Sequence, residues 1–328
     1  VSMNTVVATG TLGNGQTAVQ LSNSVRTIYS KEILFTAMPV MKFYQFATVK
    51  TELGTEPGLT ISMLTYNNLT LGGTLTEGTR MNPQSLSSSL KSITVAEQGN
   101  AIAVTELTLK SAFHDVLTTA SALLGRDMAL VLDTQLRNIA YTGTNVVYGR
   151  TSLNAIPTSV ATMDSGSIMK VATVKDAVEV LATNNAPKFS GDYYICFVHP
   201  HQSRGLRDDP AWINASKYGA VSQLFNGEIG RIDDTRYIET TLMTNGNCAT
   251  TDPAYDASLI NQTITGGTAN IYKAVIFGEQ YFGFAIGLPV ELRDNGVVDF
   301  GREHGLAWYA IWGMGILHNT YGVVIYTV

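Results

Sequence analysis

The residues best suited to chemistry in this sequence are His199 and His201, either side of Pro200, with the carboxylates Asp208 and Asp209 close behind. Two imidazoles two positions apart at a strand end can reach one metal ion. A nearby carboxylate can complete the set and leave a coordination position open for an activated water. The chemistry would then be metal-assisted hydrolysis. The spacing establishes no third ligand, however. The same residues suit a plainer role, closing a strand and capping the next helix, and that role is preferred.

Other motifs point away from catalysis. Gly313-Met314-Gly315 begins like a dinucleotide fingerprint, but His318 stands where the next glycine is needed, and the segment after it reads as a strand rather than a helix. There is no Gly-rich phosphate loop ending in Gly-Lys-Ser/Thr, no nucleophile elbow and no zinc-protease helix motif. His114 reads as a surface or packing residue, and His304 and His318 have no Ser or Cys pattern nearby. Trp308, Tyr309, Trp312, Tyr321 and Tyr326 could stack nucleic-acid bases. No basic residues interleave with them, so they read as core or interface. No catalytic, cofactor-binding or metal-binding residue is expected, and the chain reads as a non-enzyme.

Composition narrows the class. Of 328 residues, 45% are apolar but only 14% are charged, against roughly 25% in ordinary soluble proteins. A surface so poor in charge suits extensive cover by other chains and, equally, a monomer with a Thr/Asn/Ser-rich surface. Net charge is −5 and no Lys/Arg run appears, which argues against a dedicated nucleic-acid surface. Cys196 lies in the apolar run Tyr193–Val198 and reads as a buried hydrophobe, whereas Cys248 lies in a polar loop. A reducing compartment is therefore the default. No secretion signal is recognisable and no run of about 18 apolar residues could span a bilayer. The glycosylation-like triplets at Asn68, Asn214 and Asn261 then read as chance.

The elements that would carry these residues emerge from periodicity. Residues 1–23 read as an extended arm, and Val25, Ile28, Tyr29, Ile33 and Leu34 predict a short helix ending before Pro39. Alternation over Leu59–Leu64, Leu69–Leu75, Ile93–Glu97 and Ala101–Thr105 predicts strands. Turn residues crowd Asn67–Pro83, so the segment reads as a long hairpin with an irregular tip. Extended from Thr60 to Gly73, it would reach about 45 Å. Such a ribbon is at best marginally stable alone. Apolar residues at helical spacing from Phe113 to Ile139 predict one long helix over 110–141, about 45–50 Å, with Gly143 as its stop. Thr173 and Asp176 suggest a capping box for a second helix. Tyr193–Val198 reads as a strand buried on both faces. Further strands are expected at Arg236–Met243, Ile271–Phe277, Val290–Arg293, Leu306–Trp312 and Tyr321–Val328, with a polar loop over Gly246–Gly267.

Several blocks carry a family resemblance: Tyr29-Ser-Lys-Glu-Ile-Leu, Gly54-Thr-Glu-Pro-Gly58, Gly78 with Asn82-Pro83, Leu136-Arg-Asn-Ile-Ala-Tyr-Thr-Gly143, His199-Pro-His with Leu206-Arg-Asp-Asp-Pro-Ala-Trp212, and Asn226-Gly-Glu-Ile-Gly-Arg231. Their order resembles the major capsid proteins of tailed bacteriophages, in the branch typified by the coliphage N-four type. The resemblance implies an α+β fold of the Hong Kong 97 type. An N-terminal arm would occupy 1–45, an extended hairpin or E-loop 46–105, and a spine helix with peripheral domain 106–190. An axial domain would occupy 191–300, and C-terminal strands over 301–328 would return to the peripheral domain.

It also implies a virion protein, assembled in the host cytoplasm. Its copies would form hexamers and pentamers of an icosahedral head enclosing double-stranded DNA without reading its sequence. Scaffolding, portal and decoration proteins would be further partners, and no membrane or cofactor is involved. Some relatives join subunits by a Lys–Asn isopeptide bond. Lys50 and Lys91 flank the hairpin here without matching partners, so no crosslink is expected. The expected device is exchange of strand and arm between copies. The rivals are the metal-assisted hydrolase at His199, His201 and Asp208 or Asp209, a non-viral nanocompartment shell of the same fold, and a surface adhesin.

Overall fold

The structure is a computed structural model that describes residues 41–51, 58–66, 69–74, 77–78, 80–81, 83–112, 115–212, 228–232 and 234–328. The expected arm and the short helix before Pro39 lie outside the described residues. Strand β1 (Thr48–Lys50) is followed by a hairpin of β2 (Thr60–Tyr66) and β3 (Ser88–Thr94), and then by β4 (Ala96–Thr105). Helices α1 (Glu106–Ser111) and α2 (Val116–Ala140) lead to β5 (Asn145–Tyr148), α3 (Val171–Thr183), β6 (Tyr194–Val198) and α4 (Pro200–Arg207). The remainder is strand: β7 (Glu228–Ile232), β8 (Thr235–Glu239), β9 (Gln262–Ile264), β10 (Gly267–Ala269), β11 (Tyr272–Phe277), β12 (Phe282–Val298), β13 (Glu303–Ile316) and β14 (Gly322–Thr327). No helix among the described residues is long and apolar enough to cross a membrane.

Two main sheets organise the chain. A six-stranded sheet runs β5-β14-β11-β6-β8-β7, and a four-stranded sheet runs β1-β12-β13-β4. Strand β6 is buried along its whole length, as its continuous apolar run predicts. Its residues alternate between two cores. Tyr194, Cys196 and Val198 meet Val174, Ala177 and Leu181 of α3 and Leu206 of α4. Ile195 and Phe197 join Leu136 and Ala140 of α2, with Phe43, Phe277 and Tyr281. That second core continues to Phe284, Trp308 and Trp312 of the four-stranded sheet, so α2 serves both sheets. Sheet membership cuts across the sequence-expected segments. Strand β12, within 191–300, and β13 belong to the sheet that α2 covers, while β14, within 301–328, is hydrogen-bonded to β11 and β5.

The long helix is shorter than its apolar spacing predicts. Its 25 residues span about 37 Å. Asp115 starts it by accepting from the N–H groups of Leu117 and Thr118, an N-cap that periodicity does not register. The preceding turns form α1, capped by Thr105. At the other end Gly143 is not a left-handed stop. Helix α2 ends on Tyr141 in right-handed geometry, and Gly143 is small because a Cβ there would lie 2.3 Å from the Tyr281 hydroxyl.

The expected capping box of the second helix is not formed. Helix α3 begins at Val171, whose N–H donates to Asp209 Oδ2 at 3.0 Å. Thr173 Oγ1 accepts from the N–H of Arg150, and Asp176 pairs with the Arg150 guanidinium.

Candidate assembly surface

The residues singled out for metal chemistry are not brought together: His199 and His201 stand at the start of α4, and Asp208 and Asp209 follow its end, about 12 Å away along the helix. His199 is the N-cap of α4: its Nδ1 accepts from the N–H of His201 at 3.1 Å, and its own N–H donates to Gln202 Oε1 at 3.0 Å. His201 lies flat on Tyr272, with ring centroids 4.4 Å apart. Burial, then the neighbouring His201, pushes the His199 pKa down to about 4, so its ring is neutral at physiological pH. Asp208 ends α4 and faces Arg204 at 3.9 Å. Asp209 spends both oxygens on backbone N–H groups, those of Val171 and Ala211. Among the described residues, no three His, Cys, Asp or Glu side chains gather as a metal set.

The C-terminal aromatics are structural. Trp308 and Trp312 stack 5.7 Å apart on β13. Their indoles donate to Asp127 Oδ2 at 2.9 Å and Gln135 Oε1 at 2.8 Å, both on α2. Asn100 and Gln98 of β4 donate to, or accept from, the same two side chains. One helix face is thereby stapled to two strands. Gly313, read as a false fingerprint, lies in β13, where a Cβ would strike Thr94 O at 2.2 Å.

The apolar side chains on the outer face of the hairpin, among the described residues, are exposed. Strands β2 and β3 pair in register from Thr60↔Thr94 to Tyr66↔Ser88. Alternate side chains therefore separate cleanly. Ile61 and Met63 turn inward to meet Ile93, Val95, Ala285 and Leu317. Leu64 and Leu90 sit directly opposite one another on the other face. They are 55% and 63% exposed, and Tyr66 beside them is 61% exposed. The strand expected over Leu69–Leu75 is absent from its described part. There Gln84 bridges the two arms, its amide accepting from the Thr70 N–H and donating to the Thr70 carbonyl. Leu69, Leu71, Met81 and Leu86 are exposed along this extension. Exposed apolar side chains gathered along one ribbon make it the candidate interaction surface.

A family model described as phage capsid protein matches residues 40–322. No curated protein matches the chain. Among solved structures, the cyanophage Pam1 capsid asymmetric unit is similar at a TM-score of 0.72 and 14% identity, over 94% of this chain and 98% of that one. The capsid of Ralstonia phage GP4 is similar at 0.68 and 18%, over 95% and 98%. The head structure of Helicobacter pylori bacteriophage KHP40 is similar at 0.68 and 14%, over 94% and 97%. At such identities the likeness is one of fold.

Proposed function

The chain belongs to the phage capsid protein family, and from that premise we propose that its copies close, through hexamers and pentamers, into an icosahedral phage head around double-stranded DNA. It is a structural subunit of a virion, with the mixed helix-and-sheet capsid fold of the Hong Kong 97 type. We assign the extended hairpin, within 46–105, as the E-loop that lies on a neighbouring copy, with the arm, 1–45, exchanged alongside it. The division at 190/191 and 300/301 is proposed with an adjustment. Strands β12 and β13 count with α2 in the peripheral domain, and β5, α3 and β14 with the axial domain. Assembly in the host cytoplasm, and scaffolding, portal and decoration partners, complete the reading.

The observation that carries the mechanism is the Leu64–Leu90 pair with Tyr66 on an unpartnered ribbon face. Burying a leucine of this kind is worth about 1.5–3 kcal/mol. A closed shell repeats the contact in every subunit, so weak single contacts suffice. The shell-forming reading is tested by electron microscopy of the purified protein at high concentration. Capsomer rings or hollow particles are expected, and a persistent monomer would defeat it. Membership of this family favours the phage head over both the nanocompartment and the hydrolase readings.

A further inference from the structure

Beneath the hairpin lies a recess of about 180 Å³ whose lining includes Lys50, Lys91, His318, Gln280, Met63 and Leu317. We propose that it is a carboxylate site, filled by an Asp or Glu side chain of a neighbouring copy of this chain. The inference rests on the assembly reading above and adds a second, polar contact to it.

Four segments converge on the recess. Lys50 ends β1. Lys91 stands opposite Met63 on the inward side of β3, so a charged residue occupies a position whose neighbours face the core. Gln280 lies in the turn between β11 and β12 with φ of 60°, a left-handed conformation that costs a non-glycine residue and needs surrounding structure to hold it. His318 follows β13 and stacks on Tyr321 at 4.7 Å. Among the described residues, no Asp or Glu lines the recess. Among the described residues, neither Lys50 nor Lys91 has an ion pair. Burial, and then the positive charge of Lys91, lower the His318 pKa, as a cationic site without a counter-charge would.

An inward lysine can serve only to guard an exposed sheet edge against pairing. That role can account singly for Lys91 on β3 and for Lys50 at the end of the edge strand β1, but not for the convergence of both on one recess. Two ammonium groups sharing one space repel, and a single carboxylate between them turns the repulsion into two charge-assisted hydrogen bonds. The walls select the occupant's chemistry. Met63 and Leu317 suit the methylene stem of an acidic side chain. A duplex presents its phosphates on a continuous strand that a recess this small does not admit. The chain carries 26 acidic residues against 21 basic ones, so neighbouring copies have carboxylates to spare.

The test uses shells assembled from a mixture of isotopically heavy and light protein. They are treated with a zero-length carbodiimide and, separately, with an amine-acetylating reagent. Peptides joining Lys50 or Lys91 to an Asp or Glu, with one heavy and one light partner, are expected. Acetylation of both lysines should be lost in empty shells relative to unassembled subunits. Acetylation at the unassembled rate with no crosslink would overturn the proposal, as would crosslinks confined to single chains. Protection that appears only in DNA-filled shells would assign the recess to phosphate instead. If no shells form, the assembly reading falls and takes this inference with it. Shells with freely reactive lysines sink the inference alone.

Discussion

Asp133, on the long helix α2, accepts a 2.8 Å hydrogen bond from the backbone N–H of Phe43, ninety residues earlier in the chain. The same carboxylate accepts from the N–H of Lys42 and is 1% exposed. Arg137, one turn on and equally buried, donates to the carbonyls of Leu242 and Pro253. Two buried charges on one helix thus anchor the entering chain on one side and the 240–253 loop on the other. Removing one partner strands the buried donors it satisfied. Asp133→Ala is expected to cost about 2–4 kcal/mol, read by urea denaturation of the unassembled subunit. Asp133→Asn, whose amide oxygen still accepts, should lose less. Equal stability of Asp133→Ala and the parent would show that the 42–44 segment is held by other contacts.

The two faces of the hairpin should respond oppositely. Leu64→Ser with Leu90→Ser changes only exposed positions, so the isolated subunit should lose about 1 kcal/mol or less. Its assembly, followed by sedimentation and electron microscopy, should fail. Ile93→Ala removes a residue that is 2% exposed and packed with Val95, Ala285 and Leu317, and should cost the subunit about 2–5 kcal/mol. Point substitutions separate the two faces where loss of the whole hairpin would not, because Ile93 belongs to the subunit's own core. Shells of normal yield from the double serine variant would remove the ribbon face from the assembly mechanism.

Sequence periodicity carried the elements whose burial is uniform and lost those decided by a single polar group. Strand β6 was legible because every residue of Tyr194–Val198 is apolar and buried. The start of α2 was not, because the apolar spacing predicts one helix where α1 ends at Ser111 and α2 begins at Val116, and the mark of that start is the Asp115 carboxylate. Thr173 and Asp176 have the right types for a capping box, but Arg150, more than twenty positions away, claims both. Asp133 reads as solvent-facing by type and is buried. The ribbon's alternation pointed to a hairpin, yet the ends of its strands at Tyr66 and Ser88 depend on pairing that composition does not encode. Lys50 and Lys91 stood out only as flanking residues. Their convergence on one recess is a property of the fold.

The surface loop after β5 should be acid-sensitive. Asp164 accepts from the Ser152 hydroxyl at 2.6 Å and from the Ser152, Gly166 and Ser167 donors around it. These bonds, that of the Ser152 hydroxyl foremost, pull its pKa from 3.8 down to about 2. A depressed carboxylate pKa stabilises the folded loop above the ordinary value, and this contribution is lost as pH falls through 3.8 towards 2. Titration of the Asp164 carboxyl carbon by NMR should find a midpoint about 2, rising towards 3.8 in Ser152→Ala. A midpoint unmoved by that substitution would remove the hydroxyl as the cause.

The end of α2 offers a test of close approach. The Tyr281 hydroxyl donates to the Ala140 carbonyl at 2.7 Å, satisfying one of the helix's last acceptors from a buried position. Gly143 clears the space this ring needs: an added Cβ would lie 2.3 Å from the hydroxyl oxygen but 3.4 Å from the nearest ring carbon. Gly143→Ala should therefore force either the helix end or the ring to move, costing about 1–3 kcal/mol, as overpacking typically does. Tyr281→Phe alone should cost about 1–2 kcal/mol through the lost bond to the Ala140 carbonyl. It also removes the atom that the new Cβ would strike. The double variant should then be more stable than the sum of the single changes predicts, by about 1 kcal/mol or more, a coupling that separates direct contact from independent loss. Strict additivity in chemical denaturation would mean that Gly143 is needed for its backbone conformation and not for room.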